Sequence, residues 1–152
     1  MINIRLVCVG NLKEKYWTDA CNEYKKRLQK FCKLSVIELA EQNKYQDTAK
    51  ILQSEGTEIL SNLAGKNILL DVKGREVSSE DLAKKIELLS QQISTLTFII
   101  GGSYGVSEEV KKSVDERISF GKITLPHNLA RVVLLEQIYR AFMINSGSKY
   151  HK

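Results

Sequence analysis

The densest chemical signal in the chain is FIIGGSYGVSEE (98–109), where a buried apolar run passes into Gly101, Gly102 and Gly105. Glycines at the carboxyl end of a strand let the backbone approach a ligand closely, at the place where open α/β sheets put their binding crevices. The segment is not a Gly-x-Gly-x-x-Gly fingerprint, and no Gly-Lys-Ser/Thr follows to make a phosphate loop. Glu108 and Glu109, directly after the N-cap Ser107, offset the helix dipole that would otherwise attract a phosphate. On these residues alone, a ligand-binding turn and a purely structural turn are both open.

A second cluster, SFGKITLPHNLARVVLLEQIYRA (119–141), sets Gly121 before the run KITL and the chain's only proline, Pro126, after it; His127, Arg131, Glu136 and Arg140 follow. Two glycine-bearing strand ends in one sheet would line a pocket with backbone groups. His127 is one of two histidines, and beside a helix start it can serve as a structural hydrogen-bonder or as a proton carrier. The other, His151, lies in the terminal SGSKYHK. There Tyr150 and His151, flanked by Lys149 and Lys152, combine a ring that stacks on an unpaired base with charges for phosphates. A frayed, solubilising tail is the alternative reading.

These residues need a scaffold. Strand-like runs recur at IRLVCV (4–9), LSVIEL (34–39), NILLDV (67–72), LTFII (96–100) and KITL (122–125), with helical patterns between them. Alternation of this kind predicts an α/β fold with a parallel sheet and helices on both faces. In the first helix Trp17, Ala20, Cys21, Tyr24, Leu28 and Phe31 form an inward stripe. Lys26, Lys30 and Lys33 form an outward one, the first candidates for RNA contact. The second helix is expected over about 47–64 with Gly65 as its stop, and the third opens on a capping box from Ser78 to Asp81. The last helix, about 129–145, is apolar around most of its circumference and must be covered all round. One sheet covers one side only, so a second copy of the chain is expected on the other, in a twofold homodimer; a central helix within one chain is the alternative.

A chain of 152 residues has room for one domain, 1–152, and none for separate cofactor and substrate domains. Its 43% hydrophobic and 27% charged residues argue against extended disorder. No apolar run reaches the roughly 20 residues of a membrane-spanning helix. Cys8, Cys21 and Cys32 are odd in number and lack Cys-x-x-Cys spacing, so the sequence indicates no disulfide framework, no metal site and a reducing, cytoplasmic location. Of the net charge of +5, all sits in residues 1–33, with 8 Lys and Arg against 3 Asp and Glu; the rest balances at 15 against 15. Such a local excess steers a polyanion toward one face, although a solvated lysine-rich helix would look the same.

Taken together, FIIGGSYG, ITLPHNLARVVLLEQIYRA, the terminal YHK, the opening VCVGNLKEKYW and LLDVKG resemble the SPOUT-class methyltransferases, specifically the small type that modifies large-subunit ribosomal RNA. The resemblance spans essentially the whole chain. It implies a three-layer α/β/α sandwich whose C-terminal part, about 96–145, forms a deep trefoil knot around S-adenosylmethionine. The cofactor contacts it implies are Leu70, Gly101, Phe120, Gly121, Lys122, Ile123, Thr124 and Leu125. It further implies N3 of a pseudouridine in 23S ribosomal RNA as methyl acceptor, at the subunit interface of the assembled 70S ribosome. With that chemistry, His127, Arg140, Tyr150 and His151 are expected to orient and deprotonate the base, the tail reaching across the dimer. Lys26, Lys30, Lys33, Lys149 and Lys152 are expected to contact RNA. The sulfonium already makes the methyl electrophilic, so no metal is required. Two competing readings are a non-catalytic ribosome- or RNA-binding protein and a doubly wound nucleotide-binding enzyme, the latter lacking its fingerprint.

Overall fold

The computed structural model describes residues 1–44 and 46–152. In chain order the elements are β1 (Asn3–Val9), α1 (Lys15–Leu28), β2 (Lys33–Leu39), α2 (Thr48–Ser61), β3 (Lys66–Glu76), α3 (Ser79–Gln92), β4 (Thr95–Ile100), α4 (Glu108–Ser113), β5 (Glu116–Ser119) and α5 (His127–Asn145). The strands form one sheet in the order β2-β1-β4-β3-β5, every pairing parallel.

Strand alternation sorts the core into two layers. Ile4, Leu6 and Cys8 of β1 join Leu96, Phe98 and Ile100 of β4 against α1, α3 and α5, the larger core. Val7, Val9, Leu69 and Ile99 face the other way, toward Ile59 of α2 and Val110 of α4. This is the expected α/β/α sandwich, with α5 packed on both α1 and α3. Arg5, the charge inside the first apolar run, sends Nη1 to the Asn62 carbonyl at the end of α2 (2.8 Å), so the guanidinium is satisfied where it enters the layer.

Four expectations are corrected. The run KITL (122–125) is not a strand: the fifth strand is the shorter, more charged Glu116–Ser119, and Lys122, Ile123 and Thr124 lie exposed in the loop that follows. The lysine stripe is not helical, because α1 ends at Leu28; Lys30 lies in the following turn and Lys33 opens β2, although all three lysines are exposed. Phe31 likewise lies beyond the helix, where it stacks on Phe142 of α5 at 5.5 Å. The second helix stops at Ser61 with Asn62 as its cap, before Gly65 is reached. The capping box at Ser78 and Asp81 is present as read, and the last helix starts two residues early, at His127 behind Pro126.

Candidate functional site

Three neighbouring strands end at one crevice, and each end departs from regular structure. β3 pairs Leu70 with Ile118 of β5 and then pairs Arg75 with the same residue, so 71–74 leave the ladder as an excursion. β4 ends at Ile100 and gives way to the glycine turn, closed by Gly105 N–H donating to the Gly102 carbonyl (3.0 Å). β5 gives way to a tight turn in which the Ser119 hydroxyl donates to the Gly121 carbonyl (2.7 Å) and accepts from Gly121 N–H (3.1 Å).

Between these ends lies a cavity of about 850 Å³. Seven of the eight expected cofactor residues line it: Leu70, Gly101, Phe120, Gly121, Ile123, Thr124 and Leu125. Lys122 does not, although its neighbours on both sides do. Glycine is required at two of these positions for different reasons. A Cβ on Gly101 would stand 2.7 Å from Val106 Cγ1 and 2.8 Å from the Gly105 carbonyl oxygen, so the glycine turn can close only without a side chain there. Gly121 has φ +130°, and nothing lies within 4 Å of where its Cβ would be, so a side chain there would be strained. The backbone of 122–125 makes no hydrogen bond to any other described residue, which leaves its N–H and C=O groups free beside the cavity that Ile123, Thr124 and Leu125 line.

Sequence reasoning missed two residues of the rim, Val72 and Tyr104. With the expected Ile123 they are exposed by 47%, 61% and 81% in that order, three large apolar side chains at the cavity. Exposed apolar groups clustered at a cavity mark a surface meant to be covered. Arg131 was read only as part of the motif, yet it is 3% exposed; its Nη1 donates to Glu38 Oε2 (2.6 Å) and its Nη2 to the Gly10 carbonyl (3.1 Å). It thereby ties the carboxyl ends of β1 and β2 to the start of α5, beside His127.

The four expected catalytic residues fall into two groups. His127 stands at the start of α5 on the cavity wall, its Nε2 3.6 Å from Glu41 Oε1. Arg140, Tyr150 and His151 gather at the other end of that helix. Tyr150 Oη donates to Glu136 Oε2 (2.8 Å), Arg140 salt-bridges the same carboxylate (3.0 Å) and lies over the Tyr150 ring at 4.8 Å, and His151 sits between Arg140 (3.1 Å) and Glu80 (2.6 Å). Burial, and the hydrogen bond given to Glu136, push the Tyr150 phenol up to about 12. Arg140 lies thirteen helical positions after His127, about 20 Å along the axis. Within one chain the two groups do not meet.

The model of the family described as "Predicted SPOUT methyltransferase" matches residues 2–151. The chain belongs to the SPOUT methyltransferase family. As a SPOUT methyltransferase it is 50% identical to "Ribosomal RNA large subunit methyltransferase H" of Lactobacillus helveticus, over 99% of this chain and 100% of that protein. It is 46% identical to the protein of the same name from Oenococcus oeni, over the full length of both, and 45% identical to that of Fusobacterium nucleatum, over 99% and 100%. Two solved structures share the fold: a probable methylase family protein from Haemophilus influenzae Rd KW20 (TM-score 0.59, 15% identity, 99% of this chain and 71% of that one) and the tRNA (m1G37) methyltransferase of Aquifex aeolicus (TM-score 0.56, 16% identity, 91% and 69%).

Proposed function

We propose that this chain transfers a methyl group from S-adenosylmethionine to N3 of a pseudouridine in 23S ribosomal RNA, acting on the assembled ribosome as a cytoplasmic homodimer. The observation that carries the reading is a cavity at three adjacent strand ends, in a chain half identical over its full length to a relative named for ribosomal RNA methylation.

The residues present fit S-adenosylmethionine. The free backbone groups of 122–125 can pair with the edge of an adenine. Leu70, Ile118 and Phe120 offer an apolar wall, and Gly101 and Gly121 keep the floor clear of side chains. The family fold further implies that about 96–145 is threaded as a trefoil knot; in support, the glycine turn and the 118–126 segment wall the same cavity.

When bound, the donor supplies a methyl made electrophilic by its sulfonium. The chain must hold the acceptor nitrogen in line and remove its proton. His127 is placed for that proton transfer, on the cavity wall with Glu41 beside it. Tyr150 keeps its own proton at neutral pH and serves as an orienting donor instead of a base. Arg140 supplies a fixed cation for the anion left on the ring, and His151 completes the tail's contact with the base.

The separation of about 20 Å between these groups is bridged if two copies of α5 pack antiparallel about a twofold axis, which brings the tail of one protomer to the His127 end of its partner. The half-buried Tyr24 of α1, Phe31 just beyond its end, and Tyr139 and Phe142 of α5, linked by ring contacts, supply apolar surface for such packing. The exposed Lys26, Lys30, Lys33, Lys149 and Lys152 are the RNA-contacting charges.

Titration calorimetry with S-adenosylmethionine and transfer of labelled methyl to ribosomes from cells lacking this protein test the reading together. Binding and transfer are expected, with joined subunits methylated and a free RNA stem-loop not. A protein that binds RNA but not S-adenosylmethionine would be a non-catalytic binder. Unchanged methylation by Tyr150→Phe, His151→Ala and a chain ending at Lys149 would remove the tail from the site.

A further inference from the structure

One buried charged side chain, Glu55 of α2, takes no part in the chemistry above. The residue is 5% exposed; its Oε2 accepts from Gln42 N–H (3.1 Å), while Oε1 has no hydrogen-bond partner among the described residues. Native folds rarely leave such an oxygen unpaired, because its desolvation is then uncompensated. Burial accordingly pushes the Glu55 carboxyl above the usual carboxylate range. Glu55 is not a wall of the donor cavity, so a bound donor would not reach this oxygen directly.

What lies against the oxygen is the back of the glycine turn. A Cβ on Gly102 would stand 3.2 Å from Glu55 Oε1 and 3.0 Å from Val9 Cγ1, so the turn rests on these two side chains. The next residue of α2, Gly56, meets the far end of the same segment: a Cβ there would stand 2.7 Å from Oγ of Ser107, the N-cap of α4. Glycine inside a helix is unfavourable by propensity, and here it lets α2 come up against the turn. Two consecutive residues of one helix therefore back both ends of 102–107. Ser103 N–H, one peptide beyond Gly102, donates to no other described residue.

We infer that Glu55 is a positioning residue of the methyl-donor site, whose free oxygen accepts the Ser103 N–H as the glycine turn closes on the donor. The inference rests on the assignment of that cavity to S-adenosylmethionine. A small rotation of the Gly102–Ser103 peptide makes the bond, and it moves Ser103 and Tyr104, both walls of the cavity. A donor that favours the closed turn then gains the new hydrogen bond as part of its affinity. Oε2 does a separate job: it fixes Gln42, whose neighbour Glu41 stands 3.6 Å from His127.

Glu55→Gln isolates the free oxygen. The amide oxygen keeps the bond from Gln42 N–H, and the amide nitrogen, which cannot accept, takes the place of Oε1. Titration calorimetry should show the Kd for S-adenosylmethionine raised about tenfold or more, the loss expected of one hydrogen bond to a charged group. Tm should equal or exceed that of the wild type, because a desolvated charge has gone. In methyl transfer to ribosomes the cofactor KM should rise in step, with kcat at saturating cofactor changed less than about twofold. A role confined to folding predicts the reverse, a lower Tm with Kd unchanged. Gly102→Ala is the second variant. Its methyl points at Val9 and Glu55, neither of which lines the cavity, and props the turn off Glu55. Alone it should also raise Kd about fivefold or more, and added to Glu55→Gln it should cost less than about twofold further, since both remove one contact. The proposal is overturned if a folded Glu55→Gln binds the donor within twofold of wild type, or if the two effects multiply. Should Glu55→Gln fail to fold, Gly102→Ala decides alone, and binding within twofold of wild type overturns the proposal. A wild-type protein that does not bind S-adenosylmethionine would instead defeat the assignment of the cavity.

Discussion

Replacing Gly101 tests the donor cavity at its most constrained point. An alanine Cβ would lie 2.7 Å from Val106 Cγ1, which can swing away, but also 2.8 Å from the Gly105 carbonyl oxygen and 2.9 Å from its carbon, which cannot move without the turn. Overpacking of this kind costs about 1–3 kcal/mol, against a total stability of about 5–15 kcal/mol for an ordinary domain, so the variant should fold. The displaced turn carries Gly102, Ser103 and Tyr104, all lining the cavity. Loss of two well-placed backbone contacts, at about 1 kcal/mol each, together with the bulk of the new side chain, gives about 2–3 kcal/mol in binding. That corresponds to a roughly 30- to 150-fold rise in Kd for S-adenosylmethionine. Gly101→Val should reduce binding below detection. Calorimetric titration beside a thermal melt separates lost binding from lost fold, and a folded Gly101→Val that binds within threefold of wild type would refute the assignment of this cavity.

Other consequences are independent of ligand. Arg131→Met leaves the Gly10 carbonyl and Glu38 without their donor; because Glu38 is 42% exposed and can rehydrate, the loss should be about 2–3 kcal/mol, a drop in Tm of roughly 4–12 °C by scanning calorimetry. Burial pushes the Cys8 and Cys32 thiols up to about 11 and raises Cys21 as well, so iodoacetamide at pH 8 should label no cysteine in the folded protein and all three in denaturant. Tyr150, raised to about 12 in the folded chain against a usual value of about 10, docks the tail fully below the lower value and loses that stabilisation as pH rises through the higher one. Ultraviolet titration should find one phenol ionising late, and Glu136→Gln should bring it back toward the others.

The fold was legible because its determinants are local and repeated. Short, nearly unbroken apolar runs in LVCV and LTFII call for two buried faces and hence a covered parallel sheet, and Ser78 with Asp81 marks a helix start by side-chain chemistry alone. The reading failed at 116–125 for a physical reason. ERIS is a four-residue edge strand with two charges, whereas KITL has the composition of a strand yet holds Ile123 81% exposed on the cavity rim. Apolar content reports burial only where the chain covers itself, and a binding loop breaks that rule. The excursion at 71–74 depends on two pairings with a single residue, Ile118, which no local pattern encodes. Glu38 and Arg131 were equally hidden, since their meaning comes from contacts 93 and 121 positions apart in the chain, those of Arg131 with Glu38 and Gly10.

The most direct test of methyl transfer to ribosomal RNA is mass spectrometry of nucleosides from 23S ribosomal RNA of cells with and without this protein. One methylated pseudouridine should vanish from the deleted strain and return when the wild-type chain, but not Gly101→Val, is supplied. Identical nucleoside profiles in the two strains would contradict the account.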